Sequence, residues 1–84
     1  QADQLQPEKT RNITVQLSGD IFLDGQPTTP AALRADMEEL HRAMPDAAVL
    51  VRADKDLKYA QVMEIMRILH AANITRMALV TQAE

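Results

Sequence analysis

Between Arg52 and Lys58 the chain reads RADKDLK, five charged side chains in seven positions, followed by Tyr59. Asp54 and Asp56 are the residue types that can hold a divalent cation or share general acid and base duties. Lys55 and Lys58 read as solvating the loop. The other parts such chemistry needs do not adjoin the loop. There is no nearby His, no Ser or Cys nucleophile with a base, and no Gly-rich cradle for a phosphate. Carboxylate-only magnesium sites usually recruit a substrate phosphate as well. A structural role needs fewer parts: Asp54 or Asp56 accepts the free amides of the helix that follows and sits at the positive end of its dipole. Capping is therefore preferred to catalysis, and the expectation is no catalytic, metal-binding or cofactor-binding residue.

The remaining candidates point the same way. His41 and His70 each fall late in a helical segment, where partial positive charge is favourable, and neither has a second ligand three or four residues on. Met37, Met44, Met63 and Met66 lie on helical faces and read as adaptable core fillers.

The elements around these residues follow from periodicity and punctuation. The opening QADQLQPEKTR is polar and aperiodic, so residues 1–11 read as a flexible linker or tail ahead of one domain over 12–84. Ile13, Val15 and Leu17 alternate with polar residues, Ser18-Gly19-Asp20 turns, and Ile21-Phe22-Leu23 resumes: a hairpin. Asp24-Gly25 ends it. The QPTT beyond can add a few extended residues only at a sheet edge, since Pro27 cannot serve a central ladder. Thr29-Pro30 starts a helix, the hydroxyl as cap and the proline where an amide is dispensable. Leu33, Met37, Leu40 and Met44 give its apolar stripe, and Pro45 stops it.

AAVLV is a central strand, and a second helix runs from about Lys58 to Ala72. Its expected inner face is Val62, Met66 and Leu69, widened by Tyr59, Met63 and Ile65, with Tyr59 anchoring the helix on the sheet. Asn73 suits a left-handed C-terminal cap, and Met77-Ala78-Leu79-Val80 is the last strand. The order β-β-α-β-α-β, with its final βαβ a right-handed crossover, makes an α/β (α+β) two-layer sandwich. Both helices pack on one face of a small mixed sheet.

Composition bounds what such a domain can do. With 84 residues there is room for one small domain, whose thin stability margin makes self-association plausible. Phe22 and Tyr59 are the only aromatic residues, so the core must be aliphatic. A net charge of -3 with interspersed signs offers no basic footprint for nucleic acid. There is no cysteine for a disulfide or zinc site. No apolar run nears the roughly 20 residues that span a bilayer. Gln1 and the lack of a signal peptide suggest a mature product or an excised soluble piece.

With helices on one side only, the other sheet face must show its side chains to solvent or to a partner. If Ile13, Val15, Leu17, Ile21 and Leu23 point inward, Phe22 points outward. In the later strands either Leu50 or Val49 and Val51 face out, as do either Met77 and Leu79 or Ala78 and Val80. The candidate contact set is Phe22, Leu50, Arg52, Ala78 and Val80. Apolar patches of this kind mark protein contacts, and a free edge can accept an added strand.

VLVRADKDLKYAQVMEIMRILHAANITRMALVT and the upstream IFLDGQPTTPAAL, within a stretch from Ile13 to Thr81, resemble the periplasmic domain of the ExbD/TolR family of biopolymer-transport proteins. The shared pattern is an apolar strand, an ADK loop, a Tyr opening the helix, an AGI-like break and a closing ALVT. Ala60 stands where the family often has Gly, and Asn73 replaces the Gly of the break; neither disturbs the fold. The resemblance, nearer to ExbD than to TolR, implies a domain anchored in the inner membrane by an N-terminal helix that is not in this sequence. The family's intramembrane Asp lies on that helix. The implied partners are an ExbB-like channel subunit, a TonB-like periplasmic segment and a second copy of the domain. TolR-like members are associated instead with peptidoglycan.

Overall fold

The computed structural model describes residues 10–82, and the expected tail over 1–9 lies outside the described residues. The elements are β1 (Thr10–Val15), β2 (Ile21–Leu23), β3 (Gln26–Thr28), α1 (Pro30–Ala43), β4 (Ala48–Asp54), α2 (Tyr59–Ala71) and β5 (Arg76–Gln82). The architecture is the expected two-layer α+β sandwich, with QPT as an additional strand, so the order is β-β-β-α-β-α-β. Thr10 and Arg11, grouped with the tail by their polarity, belong to β1, where they pair with Ala48 and Val49.

Two turns shape the N-terminal meander. The β1–β2 loop closes through Gln16 N–H donating to Asp20 O (2.9 Å) and Gly19 N–H donating to Gln16 O (2.8 Å). Gly19 takes φ +98, and a Cβ there would stand 3.0 Å from Gln61 Nε2 at the start of α2. The strand ends at Val15, so Leu17 lies in this loop and is 56% exposed rather than inward. Asp24 (φ 51) and Gly25 (φ 85) form the two-residue turn to β3, and positive φ at both centres is the type I′ geometry that matches strand twist. The Asp24 carboxylate also ties this turn to β1, accepting from Asn12 N–H at 2.9 Å and lying 3.6 Å from Arg11 Nε.

The sheet order is β3-β2-β1-β4-β5. β1 pairs antiparallel with β2 and β2 with β3, while β1–β4 and β4–β5 are parallel. The connections β3–α1–β4 and β4–α2–β5 therefore join strands of one direction and step the same way across the sheet. Right-handed crossovers of that kind put both helices on one face. They share a single core: Ile13, Val15, Val49 and Val51 from the sheet meet Leu33, Met37 and Leu40 of α1 and Ile65, Ile68 and Leu69 of α2.

Helix α1 forms as its residues predict. Thr29 is the N-cap, its hydroxyl accepting from Ala32 N–H at 3.2 Å, and Pro30 opens the first turn. In α2 the inward face is turned from the expected one: Ile65, Ile68 and Leu69 are buried, and Val62 and Met66 are only half-buried. The helix carries apolar residues nearly all round, so periodicity alone leaves its rotation undetermined. Tyr59 is 77% exposed and does not anchor the helix.

The end of α2 is a Schellman motif. Ile74 N–H donates to Leu69 O and Asn73 N–H to His70 O, both at 3.0 Å, with Asn73 at φ 64. Leu69 and Ile74 are both buried in the core. Because Asn73 holds a left-handed conformation, Asn73→Gly should keep or slightly raise stability, whereas Asn73→Ala should lower it by about 1 kcal/mol. Urea unfolding of the two variants measures this. Leu69→Ala, which empties the core beneath the same motif, should cost about 3 kcal/mol.

Candidate partner interface on the open sheet face

The charged loop after β4 is a turn. Asp54 Oδ1 accepts from Asp56 N–H at 2.9 Å, and Leu57 N–H donates to Asp54 O at 3.0 Å. This is the self-bonded turn that an aspartate makes two residues ahead. The capping expectation is corrected: the N-cap of α2 is Lys58, and no side chain bonds the free amides there. Asp56 instead pairs with its neighbour Lys55, 3.2 Å from its ammonium, in the open. Leu57 and Lys58 stand between Asp56 and Tyr59, the first helical residue, and the Asp54 carboxylate is already used in its own turn. No group of three or more His, Cys, Asp or Glu able to hold a metal occurs among the described residues. His41 and His70 lie on different helices.

The sheet's far face carries the more ordered arrangement. Register alone places its side chains, because partners in a ladder share a face. Phe22 pairs with Thr14, Thr14 with Arg52 and Arg52 with Val80, and Pro27 extends the row on the other side of Phe22. That row spans three inter-strand gaps from Phe22 to Val80, roughly 14 Å. A second row runs Asn12, Leu50, Ala78. The candidate set Phe22, Leu50, Arg52, Ala78 and Val80 thus lies on one face. Val49 and Val51 point into the core, each 1% exposed, and Met77 and Leu79 share their side.

This face is the less covered side of the sheet. Arg52 and Ala78 are exposed, Val80 is 42% exposed, and Phe22 and Leu50 are half-buried without joining the core. The Arg52 side chain makes no hydrogen bond or ion pair among the described residues. Thr14 and Pro27 complete the row and were not singled out from the sequence. The strict alternation in β1 and β2 was the signal that could have found them.

The sheet edges differ. β3 is short and carries Pro27, which cannot donate to an added strand. β5 runs seven residues without proline, and among the described residues only β4 pairs with it. Leu79, in register with Val51 on the helix side of β5, is 45% exposed. A shallow hollow of about 470 Å³ lies over α2, lined by Met63, Met66, Met77, Arg34 and His70 among others.

A five-stranded mixed sheet with both helices on one side defines a small two-layer α+β domain. The family described as Biopolymer transport protein ExbD/TolR matches the chain over residues 1–84. The chain belongs to the ExbD/TolR family. Among curated proteins it is similar to the Biopolymer transport protein ExbD of Escherichia coli K12 and to that of Shigella flexneri, each 29% identical over 77 residues. Those matches take in 92% of this chain but 55% of each relative, so the chain spans about half the length of the relatives it matches. Among the described residues no helix is long and apolar enough to cross a membrane.

The turn assignment makes a local prediction. Asp54→Ala should lower stability by about 1 kcal/mol through the lost turn bond. Asp56→Ala and Tyr59→Ala should stay within about 0.5 kcal/mol of the parent, as exposed positions do. Thermal unfolding of the three variants separates them.

Proposed function

We propose that this chain is the periplasmic interaction and dimerisation domain of an ExbD-like inner-membrane energy-transducing subunit. In this role it works with an ExbB-like channel subunit, reached through a membrane anchor, to couple the proton gradient to a TonB-like protein for outer-membrane import. The domain supplies a contact surface rather than a reaction. Family membership and the ExbD relatives support the system. The observation that carries the contact role is the convergence of Phe22, Leu50, Arg52, Ala78 and Val80 on the face away from both helices. The long free edge of β5 offers a second element of the same surface, onto which an extended segment can add by backbone pairing.

The family description also names TolR, and a TolR-like subunit of the Tol-Pal envelope system would contact peptidoglycan instead. Cosedimentation with purified sacculi at low salt distinguishes the two, since an ExbD-like domain should stay in the supernatant.

The interface itself is testable by titrating the isotope-labelled chain with the periplasmic segment of the cognate TonB-like protein. Amide shifts should concentrate on β2, β4 and β5 around Phe22, Leu50, Ala78 and Val80, and Phe22→Ala should weaken binding about tenfold. Shifts confined to Gln61, Glu64 and Arg67, or none, would contradict it.

A further inference from the structure

Resting on that contact role, we infer that the open face selects an acidic partner: a polypeptide segment that sets a carboxylate against Arg52 between apolar side chains lying on Phe22, Leu50 and Val80. Arg52 stands inside the row from Phe22 to Val80, with Thr14 on one side and Val80 on the other. It is exposed and has no ion-pair partner among the described residues. The nearest carboxylate on the same face is Asp54, two residues on, and its Oδ1 is taken by Asp56 N–H at 2.9 Å. The face therefore holds an unpaired cation beside Phe22, Leu50 and Val80, while its other arginine, Arg76 at the β5 edge, donates to Asp46 O at 3.1 Å, on a chain whose net charge is -3.

Covering such a face removes water from the guanidinium, which is costly unless an anion replaces the water. An apolar partner would leave Arg52 unpaired, and a basic one would repel it. A carboxylate meets the planar fork with two parallel bonds.

Other occupants fit less well. A second copy placed face to face about a two-fold axis would have only Asp54 to set against Arg52, a carboxylate already committed at Oδ1 to its own turn. An anionic bilayer would meet an acidic domain with two arginines on this face, Arg52 and Arg76, far short of a polybasic patch. A glycan strand would find one aromatic ring, Phe22, to stack on.

The test uses the 84-residue chain and three fluorescein-labelled twelve-residue peptides with the same Val and Leu residues and a central Glu, Gln or Lys. Anisotropy gives the affinities and amide shifts give the place. The Glu peptide should bind about five- to tenfold tighter than the Gln peptide, with shifts at Phe22, Leu50 and Val80. The advantage should shrink as salt is raised. Arg52→Gln should abolish the difference, and Arg52→Glu should transfer the preference to the Lys peptide. Circular dichroism checks that both variants fold.

If the three peptides bind this face alike, charge selection is wrong and the contact role stands. If all shifts fall elsewhere, for example in the hollow over α2, both are wrong. Concentration-dependent shifts at Phe22 without peptide would assign the face to a second copy. Arg52-dependent capture by phosphatidylglycerol vesicles, or by soluble peptidoglycan fragments in place of the Glu peptide, would equally overturn the polypeptide assignment.

Discussion

β3, β1, β4 and β5 all point one way, and the chain crosses from β3 to β4 and from β4 to β5 in the same direction across the sheet. A right-handed crossover returns to a twisted sheet on a fixed side, so α1 and α2 must share a face. That single constraint gathers Leu33, Met37 and Leu40 of α1 and Ile65, Ile68 and Leu69 of α2 against Ile13, Val15, Val49 and Val51. Among the described residues it also leaves the reverse of the same strands without a helix. A core on one side and a bare sheet on the other are two results of one handedness.

Short-range devices hold this arrangement at its corners. Asp24 closes the type I′ turn and binds back to Asn12, so the meander is tied to the central strand. Thr29 starts α1, and Asn73 ends α2 in a Schellman motif that buries Ile74 against Leu69. Asp54 folds its own loop between β4 and α2. Each device satisfies backbone groups that a small domain, with little core to spare, could ill leave unpaired.

Features encoded within a few residues were legible in the sequence. The cap at Thr29-Pro30, the stripe of α1, the edge position of Pro27 and the left-handed Asn73 all rest on local chemistry. Features set by packing were not. Val62 and Ile65 are equally apolar, so only contact with the sheet decides that Ile65 and Ile68 turn inward. Leu17 continues the alternation of β1 but falls past the last paired residue, Val15. Tyr59 looks like an anchor in the sequence, yet it stands at the first helical position with no sheet beneath it and is left in solvent. The capping expectation for Asp54 failed because its carboxylate had a nearer amide, that of Asp56. For the candidate interface, the alternation in β2 already placed Phe22 outward. The run AAVLV could not say whether Leu50 or its neighbours faced the core, and that came only with the pairing of Ile13 to Val51.

A one-sided sheet requires that the face bearing Leu50, Ala78 and Val80 be open to solvent in the free domain. Methyl relaxation in the presence of a soluble gadolinium chelate reads this directly on a dilute, methyl-labelled sample. The methyls of Ala78 and Val80 should relax strongly and that of Leu50 measurably, while those of Ile13, Val49, Val51 and Leu69 are spared. Leu50, Ala78 and Val80 methyls as protected as Val51 would show a face already covered, and the one-sided account would not survive.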